Sequence, residues 1–141
     1  MSQAWSTPQG AQFPLPFSHA VRAGDFVYVS GQVGVDPATG EIAGSSIEEQ
    51  TRQSLRNVEI ILESGGLTLE HVVKVNAFVS RVEDFPGITV RMLRCSACLI
   101  RLAQARLSIW GVISWKLTLL LMRRPNGKAF HNRIPFRGGR S

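Results

Sequence analysis

One helix signal enclosed by two strand signals constrains this chain more than any other feature. Residues 25–30, DFVYVS, are rich in β-branched and aromatic side chains and stand between two glycines, which predicts a strand. Residues 72–79, VVKVNAFV, have the same character and predict a second strand. A strand, a helix and a strand within this length predict a compact α+β domain.

The helix between the two strands has a defined start and end. Ser46 and Glu49 form a capping box, in which each side chain satisfies a free backbone N–H group of the first turn, and Gly65–Gly66 ends the helix. Mostly apolar residues recur at spacings of four, three and four, which predicts one buried face. The residues of this face are Thr51, Leu55, Val58 and Leu62.

The charge of the chain changes abruptly after Gly87. Residues 1–87 contain all ten acidic side chains and five basic ones, whereas residues 88–141 contain eleven basic side chains and no acidic one. The net charge of +6 therefore combines a segment at −5 with a segment at +11. A strongly basic protein often binds nucleic acid or an anionic membrane surface. Here the charge belongs to one segment only, which indicates that the two segments differ in origin.

Several classes of protein are not expected. The N-terminal residues 1–12 lack a basic region followed by an apolar one, so we expect no secretory signal and a cytoplasmic protein. The apolar run 107–122 is short for a membrane span and contains Lys116, so we expect no membrane partner. Cys95 and Cys98 are the only cysteines, and without a second ligand pair they predict neither a disulfide framework nor a metal site.

The closing residues 123–141, RRPNGKAFHNRIPFRGGRS, are basic, rich in glycine and proline, and include Phe130 and Phe136. Some nucleic-acid-binding tails have this composition. The alternative, which we favour, is a segment that was never selected as part of a folded domain. A nucleic-acid partner is accordingly not expected.

Three stretches within residues 14–87 carry a family resemblance. They are PFSHAVRAGDFVYVSGQVGVDPATGE, QTRQSLRNVEIILESGG and VVKVNAFVSRVEDFPG. In order, spacing and residue type they resemble the RidA/YjgF family of reactive intermediate deaminases, also called endoribonuclease L-PSP-like proteins. The combination of V-S-G-Q at a strand end with the helix Q-T-R-Q-S-L-x-N is specific, whereas either motif alone would be weak.

The resemblance implies a chorismate mutase-like fold with one sheet and two helices packed on one face. It also implies a homotrimer and a small-molecule substrate, a 2-imino or 2-enamino acid, which is hydrolysed to the 2-oxo acid and ammonia without a cofactor. It further implies a ligand site formed by Phe17, Ser30, Gly31 and Gln32. Phe17 stands where the family often has tyrosine, so the phenol hydrogen bond is absent. For the other three, a purely structural role at a strand end is an equal alternative.

The family's two catalytic motifs do not occur in this sequence. In the family an arginine of a late P-x-R motif binds the substrate carboxylate, and a glutamate of a V-E-I-x-A motif in the last strand activates water. No glutamate occurs after Glu83. The resemblance therefore implies that no catalytic residue is retained, that the sheet is incomplete, and that the chain is inactive.

A change of reading frame would explain the break. When the frame is shifted back by one base, the codon that spans Trp115 and Lys116 must be GAA, which encodes glutamate. The shifted codons of residues 111–123 permit G-D-L-V-E-I-D-A-V-A-Y-A, and those of residues 100–104 permit P-A-R-T. We therefore interpret residues 1–13 as an arm, residues 14–87 as the family part of one domain, and residues 88–141 as an out-of-frame segment.

The sequence is consistent with three alternative functions. The first is a 2-iminobutanoate/2-iminopropanoate deaminase, inactive in this form. The second is a non-enzymatic ligand-binding protein or a degraded frameshift product. The third is an RNA-binding or endoribonuclease L-PSP-like protein, against which stands the absence of acidic partners for the basic side chains of residues 88–141.

Overall fold

The computed structural model describes residues 1–12, 14, 16–79, 81–84, 86–88, 90, 103–107 and 115–122, the last two ranges by their backbone. In chain order the described strands and helix are β1 (Ser2–Trp5), β2 (Ala20–Ala23), β3 (Phe26–Val29), α1 (Ile47–Ser64), β4 (Val72–Val79), β5 (Ala103–Leu107) and β6 (Trp115–Met122). Short 3₁₀ turns occupy Leu69–His71 and Val82–Asp84. The α+β prediction is confirmed.

The six strands form one sheet in the order β1-β2-β3-β6-β4-β5. Strands β1, β2 and β3 are consecutive antiparallel neighbours, and β6 is antiparallel to both β3 and β4. Strand β5 is parallel to β4, with Val75 opposite Ala103. A parallel pair needs a long crossover connection.

The sheet differs in one respect from the expectation that it would lack its last strand. The backbone of Trp115–Met122 lies between β3 and β4 and pairs along the whole length of β4. The sequence of β6, WKLTLLLM, is mostly apolar, which is the pattern of a strand in the interior of a sheet. Residues 86–88 and 90, which follow β4, are helical, and residues 91–102, between β4 and β5, lie outside the described part of the chain.

The three elements predicted from the sequence lie where expected. Strand β3 is one residue shorter at each end than its sequence signal, and β4 matches residues 72–79. Helix α1 begins after Ser46, whose capping box with Glu49 is formed. It ends at Ser64 with Gly65 as its C-terminal cap, and Gly66 follows with a φ of 74°, a backbone conformation that favours glycine.

The hydrophobic core lies between helix α1 and one face of the sheet. All four residues of the predicted helix face are buried. Leu55, Val58 and Leu62 pack with side chains of β2, β3 and β4 and with two residues outside those elements. These core residues are Ala20, Val27, Val29, Val72, Val75, Ala77, Val79, Leu67 and Ile88. The helix also buries Ile61 and the polar residues Ser54 and Asn57.

The loop after β3 is held close against helix α1. The Asn57 Nδ2 group donates to the carbonyl oxygens of Val33 and Val35, at 2.9 and 2.8 Å. Between them, a Cβ atom on Gly34 would lie 2.7 Å from the Gln50 Cα atom, closer than such atoms approach each other. Glycine at position 34 therefore permits a backbone contact that fixes the loop on the helix.

The N-terminal residues are part of the sheet. Strand β1 pairs with β2 at the edge, from Ser2 opposite Ala23 to Trp5 opposite Ala20. The Trp5 indole N–H donates to the Ser64 hydroxyl at 3.2 Å, and its ring packs against Gly65 at the helix end. The segment predicted as an arm thus contains a strand that is joined to helix α1.

Candidate functional site

The end of β3 is joined to the segment that precedes β2. The Ser30 backbone N–H donates to the His19 carbonyl at 2.9 Å, and the Ser30 hydroxyl donates to the Ser18 carbonyl at 2.5 Å. Phe17 directly precedes Ser18 in the sequence and is 41% exposed. Two of the predicted ligand-binding residues, Phe17 and Ser30, therefore lie close together at one end of the sheet.

Gln32 lies behind this strand end rather than on its surface. Its side chain is 0% exposed, and its Nε2 group donates to the Ser30 carbonyl at 3.2 Å. Within the described part of the chain, its Oε1 atom has no hydrogen-bond partner. The half-buried Gly31 joins Ser30 to Gln32. A ligand contact for Gly31 or Gln32 stays a prediction.

The hydrogen bonds of Ser30 limit what this residue can do. Its backbone N–H and its hydroxyl proton are both donated to carbonyl oxygens of residues 18 and 19. A hydroxyl oxygen still has lone pairs when its proton is donated. Ser30 can therefore accept a hydrogen bond from a ligand, but its hydroxyl is not available to donate one.

Strand β6 borders the same end of the sheet. Tyr28 of β3 is opposite Leu121, and Phe78 of β4 is opposite Lys116. Because the pairing is antiparallel, residue numbers fall along β6 in the direction in which they rise along β3 toward Ser30. Counted from the Tyr28–Leu121 pair, Ser30 is level with Leu119, so the first residues of β6 lie beyond the end of β3.

The described groups with shifted pKa values lie elsewhere, on helix α1. The hydrogen bond from the Ser46 backbone N–H, with further bonds from the Ser46 hydroxyl and the Ser45 N–H, lowers the pKa of the Glu49 carboxyl. The hydrogen bond to Glu59 raises the pKa of Arg56. Both side chains are exposed on the helix. In the described ranges, no cluster of His, Cys, Asp or Glu side chains could hold a metal ion.

Sequence reasoning missed the role of residues 18 and 19 at this site. Their carbonyl oxygens are the acceptors for Ser30, and His19 is buried. No side-chain pattern signals a carbonyl group, because every residue has one. The proximity of Phe17 and Ser30 was available only through the family resemblance.

A family model described as Endoribonuclease L-PSP matches residues 11–95. The chain belongs to this family. The match begins slightly before the predicted residue 14 and continues past Gly87. The matched range includes β2, β3, α1 and β4 and all four residues predicted to bind a ligand.

Among curated relatives of this L-PSP family chain, a RutC family protein of Pyrococcus horikoshii is 44% identical over 70 residues, 50% of this chain and 56% of that protein. A 2-iminobutanoate/2-iminopropanoate deaminase of Dermatophagoides farinae is 39% identical over 83 residues, 59% of this chain and 65% of that protein. The chain thus spans little more than half of the first relative and just under two thirds of the second.

The fold is that of solved family members. The crystal structure of the yjgF gene product of E. coli superposes with a TM-score of 0.78 and covers 86% of this chain and 99% of its own, at 24% identity. This likeness shows the RidA/YjgF fold. No helix in the described ranges is long and apolar enough to cross a membrane.

Proposed function

We propose that this chain derives from a deaminase that hydrolyses 2-imino or 2-enamino acids to 2-oxo acids and ammonia. The observation that carries the proposal is the 39% identity, over 83 residues, to a protein named 2-iminobutanoate/2-iminopropanoate deaminase. The substrate is a small imino or enamino acid, and no cofactor is required. The proposal includes a cytoplasmic location, and a homotrimer for the in-frame form of the chain.

The reaction needs few groups. Water adds to the carbon of the C=N bond, the nitrogen takes up protons, and ammonia leaves as the C=O bond forms. A cationic group must hold the substrate carboxylate, and a base must take a proton from the attacking water. At the strand end, the Phe17 ring offers an apolar surface and the Ser30 hydroxyl oxygen an acceptor for an imine N–H or the attacking water.

We further propose that the present chain is inactive and that residues 88–141 are out of frame. The sequence contains no carboxylate after Asp84, so β5 and β6 cannot supply the base. The shifted codon for glutamate spans Trp115 and Lys116, which are the first two residues of β6. The shifted P-A-R-T motif reaches Ala103, the first residue of β5. Restoration of the frame would return both groups to strands of this sheet.

The test compares the present chain with a chain whose frame is restored by one added nucleotide after the Gly87 codon. Ammonia release from freshly generated 2-iminopropanoate is measured for both. We expect the present chain to be at least about a hundredfold slower, because loss of a general base alone typically costs that factor or more. A matched control is the restored chain with its P-A-R arginine changed to alanine.

Two outcomes would contradict the proposal. Equal rates for the present and restored chains would show that residues 88–141 do not determine activity. A soluble restored chain no faster than its alanine control would refute the deaminase function. Cleavage of single-stranded RNA by the restored chain, without ammonia release, would favour the endoribonuclease alternative, and binding of the imino acid without turnover would favour a ligand-binding protein.

A further inference from the structure

The imidazole of His19 is at the centre of a buried hydrogen-bond network. It is 4% exposed. The Thr7 backbone N–H donates to its Nδ1 atom at 3.1 Å, and its Nε2 atom lies 3.0 Å from the Ala11 carbonyl oxygen. A carbonyl oxygen can only accept, so Nε2 carries the proton and Nδ1 must be unprotonated. The geometry thus requires one neutral tautomer.

Residues 6–12 are organised around this ring. The Gly10 N–H donates to the Thr7 carbonyl, and the Gln12 side chain donates to the carbonyls of Thr7 and Gly10. A Cβ atom on Gly10 would lie 3.0 Å from the His19 Cε1 atom, so the loop backbone rests on the ring. The loop therefore depends on the imidazole for both its position and its hydrogen bonds.

His19 also joins this loop to the strand end. Its backbone N–H donates to the Ser6 hydroxyl at 3.2 Å, and its carbonyl accepts from the Ser30 N–H. The Ser30 hydroxyl also donates to the carbonyl of Ser18, the residue after Phe17. A change at the His19 ring therefore acts on a residue that is hydrogen-bonded both to the loop of residues 6–12 and to Ser30 at the end of β3.

Among the described residues, the groups that hydrogen-bond to the ring are uncharged. The contacting atoms come from the Thr7 N–H, the Ala11 carbonyl and the backbone of Gly10. The ion pairs Arg56–Glu59 and Arg81–Asp84 do not involve His19. A protonated imidazole carries N–H groups on both nitrogens. Its Nδ1–H would then face the Thr7 N–H, and the hydrogen bond between them would be lost.

We propose that His19 is a pH-sensitive latch that closes residues 6–12 onto the end of β3 in its neutral form and releases them when protonated. Histidine is the side chain whose charge ordinarily changes between about pH 5 and 8. The hydrogen bonds of the closed latch require the neutral ring, so protonation of the ring opens it. This proposal does not depend on the deaminase function, because it concerns the conformation of the chain alone.

The test is amide hydrogen exchange of residues 6–12 in the full chain, measured between pH 8 and pH 5 and corrected for the intrinsic effect of pH on exchange. We expect protection of the Thr7 amide to fall about tenfold, because a buried N–H loses its acceptor. In His19→Gln the protection should not change with pH, since an amide can accept from Thr7 and donate to Ala11 but does not titrate. His71→Gln is the matched control and should retain the wild-type response.

Two results would overturn the latch. One is equal protection of residues 6–12 across this pH range in the wild-type chain. The other is a wild-type response in His19→Gln. If that variant does not fold, nitrogen chemical shifts of the wild-type His19 ring decide the matter. We expect an Nε2–H tautomer at pH 8 and loss of Thr7 protection together with protonation, whereas a protonated ring with Thr7 still protected would refute the proposal.

Discussion

Buried polar side chains determine how the loop after β3 is held, and Asn57 is the main one. It is 0% exposed, although it lies on a helix whose apolar face forms the core. Its two donated hydrogen bonds satisfy the carbonyls of Val33 and Val35, and its Oδ1 atom accepts from Gln53. Buried polar groups of this kind are costly when they lose a partner.

Substitution of Asn57 tests this role. We expect Asn57→Ala to lower the free energy of unfolding by about 2–4 kcal/mol, because two buried carbonyls lose their donor and a small cavity forms. Asn57→Asp keeps the shape but places a carboxylate oxygen where the donor was, so it should cost at least as much at pH 7. Urea unfolding followed by circular dichroism measures both.

Gln53→Ala is the matched control for these variants. It removes one partly buried bond to Asn57 and should cost less than about 1.5 kcal/mol. An Asn57→Ala variant no less stable than Gln53→Ala would show that the loop carbonyls find other donors.

At the scale of elements, the N-terminal cap of helix α1 depends on an ionised carboxylate. The Glu49 carboxylate accepts hydrogen bonds from the Ser45 and Ser46 backbone N–H groups and from the Ser46 hydroxyl. These bonds, led by that of the Ser46 N–H, lower the pKa of Glu49 in the folded chain. A carboxyl whose pKa is lower when folded contributes stability above its unfolded pKa, and this contribution is lost as pH falls through the folded value.

The expected outcome is a pH-dependent difference between wild type and Glu49→Gln. Wild type should be more stable above the unfolded glutamate pKa of about 4.3, and the difference should disappear at lower pH, below the folded value. Thermal unfolding from pH 7 to pH 3 measures it. Glu48→Gln, in the same helical turn but outside the capping box, should show a smaller pH dependence. Equal pH profiles for the two variants would refute the role of the box.

An element of the fold could be predicted only where its side chains form a recognisable sequence pattern. Helix α1 and strands β3 and β4 have periodic side chains and defined ends, so the sequence predicts them. Strands β1 and β2, with four residues each, are too short for a periodic pattern, and β1 is polar and exposed at the sheet edge. Strand β6 was not expected, because its place is set by pairing with residues far along the chain.

The candidate site was less predictable than the fold. Ser30 and Gly31 follow a strong strand signal, which places them at a strand end. The contact of that end with residues 17–19 depends on backbone hydrogen bonds between residues more than ten positions apart. Buried Ser54 and Asn57 interrupt the apolar pattern of the helix, so sequence reasoning did not include them in its core.

At the scale of the whole molecule, charge should oppose assembly. Each copy of the chain carries eleven basic side chains in residues 88–141 without an acidic one. Association of three copies would concentrate like charge, which is unfavourable at low salt. We therefore expect light scattering at low ionic strength to show no monodisperse trimer for the present chain, and a trimer for the frame-restored chain. A uniform trimeric mass for the present chain would contradict this expectation.

The central place of β6 has a consequence during synthesis. A ribosome that has produced residues 1–79 has made β1 to β4, but β3 and β4 share no partner strand until residues 115–122 emerge. Until then the two pieces of sheet present unpaired backbone edges, which are sites for wrong association. The sheet can close only late in translation. A change in the distal codons therefore affects the join between its two halves, and residues 1–79 cannot complete the sheet alone.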